Sequence, residues 1–414
     1  MNISQKDARE VGSVSHSRGR QLGKKLLLLL FSVLCCLGIF IGLDWVHSAR
    51  VHRASVRKNG KGLGCLIFGD PVRYFALKPD CSSVRAWGGD TYQFATNSLG
   101  FRDEKIRDVP PSVAEPRILM LGDSFTESMV AWKDSYVGRI AAKFPQYEFL
   151  NGGVGGYSPS NYLNTARIVL SEGLDFDEAI VFIDISDAQD EAALFRDADR
   201  SGSVTLPERH YFYRNWYSKF RLGISENFLL TNYIFEFFER NLVRFGYYHL
   251  DRGNSGNEFD RERSAWTYRK VSETEPFETG FAPLGLEGGI AKEKAKMALL
   301  WQELARRNIP ISVVVYPWPA QILHDTADSR QVQIWREWCQ GKCKRFVDLF
   351  PAFFAIKEQC PPLQPGCWYL SHFIFGDTHY NSAGDEVVAD EISKSLEKTP
   401  VSKGESAGTQ RNGE

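Results

Sequence analysis

Apolar and polar positions along the chain fall into distinct patterns. The first is a nearly unbroken apolar run at residues 26–43, where Ser32 is the only polar side chain. Its roughly 18 residues are about the shortest stretch that crosses the hydrocarbon core of a bilayer as a helix. The second pattern is a set of short segments that read as strands at residues 117–121, 147–151, 179–183, 311–316 and 345–349, of which the first, third and fourth are apolar runs. Each has the length of a buried strand, and Pro317 and Pro319 stop the fourth. Residues 132–144, 162–171, 288–307 and 387–396 carry helical spacing. Strands alternating with helices predict a parallel sheet covered on both faces, with a site at the carboxyl ends of its strands.

The remaining segments set the domain limits. Residues 1–23 and 398–414 are polar and are predicted to be disordered tails. The anchor covers residues 24–45, and a basic stalk with the domain lead-in covers 46–93. The α/β domain covers 94–397, interrupted at 190–285 by a segment dense in aromatics: 210–213, 216–217, 233–238 and 245–248. A helical insertion with its own small core is the plainest reading, since aromatics mostly pack inside. A lid, a substrate platform and a membrane-facing surface are the alternatives.

The apolar run is longer than the core of a cleaved signal peptide, and Asp44-Trp45-Val46-His47 after it is a poor cleavage site. An uncleaved anchor is the expectation. Basic residues flank it on both sides, Arg18, Arg20, Lys24 and Lys25 before and Arg50, Arg53, Arg57, Lys58 and Lys61 after, so charge does not orient it. The cysteines do. Cys35 and Cys36 lie inside the run, and Cys65, Cys81, Cys339, Cys343, Cys360 and Cys367 follow it. An even number of near neighbours points to disulfides and an oxidising compartment. Neighbour pairing is the simplest scheme, and it places the N-terminus in the cytoplasm and the rest outside. Zinc at Cys339 and Cys343 is a weaker reading, because no His lies near.

With 50 Lys and Arg against 51 Asp and Glu, the net charge is −1. Bulk charge therefore gives no reason to expect nucleic acid as a partner.

Ser124 sits in Leu121-Gly122-Asp123-Ser124-Phe125, where a strand ends and a helix should begin. A nucleophile there is exposed on a sharp turn with helix N-terminal amides close by. Capping by Asp123 or Ser124 would explain the same residues. Near the C-terminus, His379 can act as general base and Asp377, two residues earlier, can hold its tautomer.

Together these segments resemble the SGNH/GDSL hydrolase superfamily, in its branch of membrane-anchored bacterial proteins tied to envelope carbohydrates. The first block is Gly122-Asp123-Ser124-Phe125, with the lead-in Asn97-Ser98-Leu99-Gly100-Phe101-Arg102. The second is Asn151-Gly152-Gly153-Val154-Gly155-Gly156-Tyr157-Ser158, and the last is Asp377-Thr378-His379. The resemblance implies a flavodoxin-like three-layer sandwich with a parallel sheet. It also implies a catalytic set of Ser124, His379 and Asp377 and an oxyanion hole from the amides of Ser124 and Gly156. No cofactor is implied. The third block departs from the pattern. The family has Gly-Asn-Asp after the third strand, whereas this chain has Asp184-Ile185-Ser186-Asp187. Asp184 and Asp187 are the candidate equivalents, but an ionised Asp cannot donate to an oxyanion. Asn161 is a candidate substitute donor. Asp184, Asp187 and Asp190 also allow a metal reading, weaker than capping and solvation.

The implied activity is ester hydrolysis or acyl transfer on a cell-envelope carbohydrate or small acyl ester. Polysaccharide O-acetylation and a catalytically inactive binding module of the same fold are alternatives. The implied setting is the bacterial inner membrane, with one span, a periplasmic domain, lipid around the anchor and polysaccharide-synthesis proteins as partners.

Overall fold

The computed structural model describes residues 7–59, 65–87, 90–195, 224, 227–246, 261–268 and 281–403. The aromatic clusters at 210–217 and 247–248 lie outside them. The chain divides into two compact units. One combines Met1–Lys58 with Phe220–Phe238, and the other combines Asn59–Lys219 with Glu239–Glu414.

The first unit contains α1 (Asp7–Asn59). Within it, Lys24–Val51 is long and apolar enough to cross a membrane, and none of its most apolar window is buried inside the protein. The helix exceeds the apolar run at both ends. It takes in much of the N-terminal tail and the start of the basic stalk.

In the second unit, β1 (Leu66–Asp70) and β2 (Tyr74–Leu77) form an antiparallel hairpin. β3 (Ser82–Trp87), β4 (Asp90–Thr96) and β5 (Arg102–Asp103) form the antiparallel end of a larger sheet. Its parallel part contains β6 (Arg117–Leu121), β7 (Glu148–Asn151), β8 (Glu178–Ile183), β9 (Ile311–Val315) and β10 (Cys343–Asp348). The helices, continuing in chain order, are α2 (Ser124–Glu127), α3 (Tyr136–Lys143), α4 (Pro159–Ser171), α5 (Ser186–Ala193), α6 (Leu229–Arg244) and α7 (Arg261–Ser264). After them come α8 (Gly285–Ala305), α9 (Pro319–His324), α10 (Arg330–Cys339), α11 (Phe350–Glu358), α12 (Cys367–His372) and α13 (Ser382–Lys398). The N-terminal part of α6 belongs to the first unit.

The parallel strands lie in the order β7-β6-β8-β9-β10. Numbered within this sheet that is 2-1-3-4-5, the flavodoxin-like order, whose switch point falls between β6 and β8. The two faces follow from the pleat, because successive side chains point to opposite sides. Ile118, Met120, Ile180, Phe182 and Val314 pack with Val137 and Ile140 of α3 and Val388, Ile392 and Leu396 of α13. Leu119, Leu121, Val181, Ile183, Val313 and Val315 pack with Leu163, Ala166 and Val169 of α4 and Met297, Leu300 and Leu304 of α8. Both faces are dry, so these strands appear in the sequence as continuous apolar runs. The result is the three-layer α/β sandwich that the sequence led one to expect.

One polar cluster pins three of these strands together. Glu178 on β8 is fully buried and receives two hydrogen bonds from Arg345 on β10, Nε at 2.7 Å and Nη2 at 2.6 Å. Ser312 Oγ on β9 donates to it at 2.5 Å. The six cysteines pair as neighbours, Cys65–Cys81, Cys339–Cys343 and Cys360–Cys367, while Cys35 and Cys36 are free.

Candidate active site

The site is built on the segment that leaves β6 at the switch point. Asp123 is the N-cap of α2, and its Oδ1 accepts the Phe125 N–H at 2.9 Å. Ser124 is therefore the first helical residue. Its backbone N–H is one of the donors a helix start leaves unpaired, and it makes no hydrogen bond among the described residues. Gly122 is obligatory here, because a Cβ at that position would lie 1.9 Å from Thr126 Oγ1.

A second loop brings His379 to Ser124. Ser124 Oγ is 2.7 Å from His379 Nε2, and His379 Nδ1 is 2.5 Å from Asp377 Oδ1. The Asp377 carboxylate also accepts the His379 backbone N–H at 3.1 Å, so residue 377 orients both ring and main chain. Tyr369 closes the loop from beneath: its hydroxyl accepts from the Gly376 N–H at 2.9 Å and donates to the Asp377 carbonyl at 3.1 Å. The His379 and Asp377 side chains keep 14% and 13% exposure, so the pair is shielded yet open on one side. Phe125 packs against the imidazole with ring centroids 4.7 Å apart, and Tyr316, Trp318 and Tyr380 surround Phe125 in turn. The shallow depression above is lined by Ser124, Phe125, Ser128, Met129, His379, Tyr380 and Asp385.

The second glycine-rich block lies alongside. Gly155 is so close to the nucleophile that a Cβ on it would contact Ser124 Cβ at 3.5 Å. Its N–H is used by Glu127 Oε2 at 2.6 Å. Gly156, at φ +81°, makes no backbone hydrogen bond among the described residues. Asn151 ties this block to the nucleophile helix by donating to the Thr126 carbonyl at 2.8 Å and accepting from Gly153 N–H at 3.0 Å.

Asp184 proves to be a structural acceptor. Its Oδ1 accepts from Ser186 N–H and Oγ–H, both at 2.7 Å, and its Oδ2 accepts from Trp318 Nε1 at 2.7 Å. It is 2% exposed. Burial, and then the neighbouring Asp184 charge, push Asp123 well above the usual carboxylate range. Asp187 is fixed by Tyr162, whose hydroxyl donates to Oδ1 at 3.1 Å, and it accepts the Asp184 N–H at 3.2 Å. Burial and then Asp184 raise it as well. Asp190 pairs with Arg263 at 2.7 Å, and burial lifts it to about 7. Each of these carboxylates thus has its own protein partners. Asn161 is not a substitute donor. Its side chain accepts from Ser158 N–H at 3.3 Å and donates to the Arg73 carbonyl at 2.9 Å, closing the start of α4.

Several residues of the site escaped sequence reading. Arg102, buried at the end of the lead-in, donates to the carbonyls of Glu127, Ser128 and Val130, which collect where α2 ends. The lead-in motif marked its position but not its task. Glu127 pairs with Arg85, from a strand with no recognisable signal. Asp385 accepts from Ser128 Oγ at 2.8 Å on the floor of the depression, and burial raises it to about 8.

No family profile matches the sequence, and no curated protein matches it. Among solved structures, an alpha/beta hydrolase enzyme from the metagenome of Lake Arreo is similar at 13% identity, TM-score 0.37, covering 69% of this chain and 97% of that one. A catalytic mutant of an acetylxylan esterase from Geobacillus stearothermophilus is similar at 12% identity, TM-score 0.35, covering 69% and 95%. A member of the lipolytic G-D-S-L family from Veillonella parvula is similar at 12% identity, TM-score 0.35, covering 68% and 98%. Likenesses this slight transfer no activity.

Proposed function

We propose that this chain is a membrane-anchored serine esterase or acyltransferase acting on acyl esters of a cell-envelope carbohydrate or a related small ester. The reading rests on one observation, the hydrogen-bonded chain Ser124–His379–Asp377 at the carboxyl end of the parallel sheet.

His379 Nε2 takes the Ser124 hydroxyl proton as Oγ attacks the ester carbonyl, and Asp377 stabilises the imidazolium that forms. The carbonyl oxygen becomes an oxyanion held by the N–H groups of Ser124 and Gly156. The intermediate collapses, His379 returns its proton to the leaving alkoxide, and an acyl-Ser124 ester remains. Water, or a sugar hydroxyl, then attacks with His379 as base, releasing the acid or a new ester and restoring Ser124. Asp184 takes no part at the oxyanion, since its oxygens are engaged by Ser186 and Trp318.

The apolar segment of α1 supports anchoring, and the cysteine pairs support an oxidising compartment such as the periplasm. The test uses the full chain in detergent with p-nitrophenyl acetate, with and without an oligosaccharide acceptor. Acyl release that is lost in Ser124→Ala is expected, and acceptor-dependent product selects transfer over hydrolysis. Absence of both turnover and fluorophosphonate labelling would reject the enzyme reading.

A further inference from the structure

The helix α6 presents an apolar stripe outward. Leu230, Tyr233, Ile234, Phe237, Phe238 and Leu242 recur at the spacing of one helical face, and the five from Leu230 to Phe238 are 43–66% exposed. The opposite side carries Asn232, Glu236 and the buried Val243. The sequence expectation was a helical insertion with its own small core. In the described part, the stripe lies on the surface.

What covers the stripe follows from how its start is held. Asp44 is the first charged residue after the apolar run of α1 and is fully buried. Its carboxylate accepts from Leu230 N–H at 2.9 Å, Thr231 N–H at 2.7 Å and Thr231 Oγ at 2.6 Å. Ser48, one turn further along α1, accepts the Leu229 N–H at 2.7 Å and donates to Asp44 at 3.3 Å. The first turn of α6, whose N–H groups no helix can satisfy internally, is thus capped by the residue that ends the apolar run. That is the level at which a spanning helix leaves the hydrocarbon. Trp45, 55% exposed, stands there too, and Trp favours the membrane–water interface. The stripe begins where the lipid-facing surface of α1 ends.

We propose that α6 lies in the membrane interface with its apolar stripe against lipid, giving the chain a second membrane contact beside the α1 span. The proposal rests on the reading of α1 as a span. With 16 residues, α6 reaches only about 24 Å at 1.5 Å per residue, short of the roughly 30 Å hydrocarbon core. Glu236 on its other side further opposes crossing. An amphipathic helix with these features lies along the interface.

The experiment uses the full chain with Cys35→Ser and Cys36→Ser, reconstituted in phosphatidylethanolamine/phosphatidylglycerol vesicles. Nitroxide labels are placed singly at Ile234→Cys, Phe238→Cys, Glu236→Cys and Leu34→Cys, and relaxation by oxygen and by a water-soluble nickel chelate is compared. The oxygen-to-nickel ratio is expected to be several-fold higher at residues 234 and 238 than at 236, approaching that at 34. A lipid signature at 34 with a water signature at 234 and 238 overturns this proposal alone. A water signature at 34 overturns the span reading, and this proposal with it. Shielding of 234 and 238 from both reagents, with concentration-dependent cross-linking between chains, assigns the stripe to a second copy and also overturns it. Photoactivatable lipid labelling of the unsubstituted chain, mapped by peptide, gives the same reading without mutation. Label on 229–244 is expected, and its absence beside a labelled α1 counts against the proposal.

Discussion

Asp184→Asn is nearly isosteric and exchanges one carboxylate oxygen for an amide nitrogen. It installs the residue that the resemblance calls for at this position. In the structure, both carboxylate oxygens accept: Oδ1 from two Ser186 donors and Oδ2 from Trp318 Nε1. Asn has one acceptor oxygen. If that oxygen stays on Ser186, the amide NH₂ meets the Trp318 N–H donor to donor, and Trp318 is only 5% exposed. A buried donor left without a partner costs about 1–3 kcal/mol. If the amide flips, both Ser186 donors lose their acceptor instead, at no smaller cost. One effect opposes this: without the 184 charge, Asp123 loses the like charge that helps raise it. The expected net result is destabilisation of about 1–2 kcal/mol, read as a fall of a few degrees in thermal midpoint. Activity should not rise, because the side chain points into the acid network. Thermal unfolding and kcat/KM for p-nitrophenyl acetate measure the two effects side by side. A new oxyanion donor is worth about a hundred- to a thousandfold in rate. A gain of that order at an unchanged thermal midpoint would refute the assignment of Asp184 as a structural acceptor.

Other expectations follow from the same geometry. Asp377→Asn presents an amide to His379 Nδ1 and favours the wrong tautomer, so kcat should fall by about 10³–10⁴; a loss smaller than tenfold in the ester assay would count against the triad. Arg345→Ala leaves the buried Glu178 with Lys344 at 3.1 Å and the Ser312 hydroxyl as its partners, and urea unfolding should show a loss of about 3 kcal/mol. Burial raises the folded pKa of Asp385 to about 8 from the ordinary 3.8 of an aspartate, so the folded state holds more protons between those values. Its contribution to stability is therefore present below about pH 4 and is lost as pH rises to about 8, at up to about 1.4 kcal/mol per pH unit. Asp385→Asn should flatten that part of the thermal midpoint–pH curve, and an unchanged slope would show that Asp385 is already ionised.

Much of the α/β scaffold was legible because its strands are dry on both faces. Burial on both sides leaves five- and six-residue apolar runs, and β6, β8 and β9 are legible this way to within one residue, whereas β10 is a half-exposed edge strand of mixed composition whose start lies two residues before the expected one. β1 to β4 were missed. They contain polar and half-exposed positions such as Arg85 and Gln93, so no continuous apolar run marks them. The charges of the basic stalk obscure helical periodicity, and α1 continues through its start to Asn59.

Ser124, His379 and Asp377, which the proposed mechanism uses, were legible in the sequence itself, because the turn chemistry around Ser124 and the Asp377–His379 spacing are local. Neighbour pairing of the six cysteines was legible for the same reason. Only the tertiary structure decided what long-range packing decides. It turned Asp184 toward Trp318, 134 residues away, rather than toward an oxyanion. It closed the end of α2 with Arg102, and it seated the first turn of α6 on Asp44. Hydrogen-bond partners this distant in sequence leave no period and no motif, since each is chosen by where the folded backbone places an unpaired donor or acceptor.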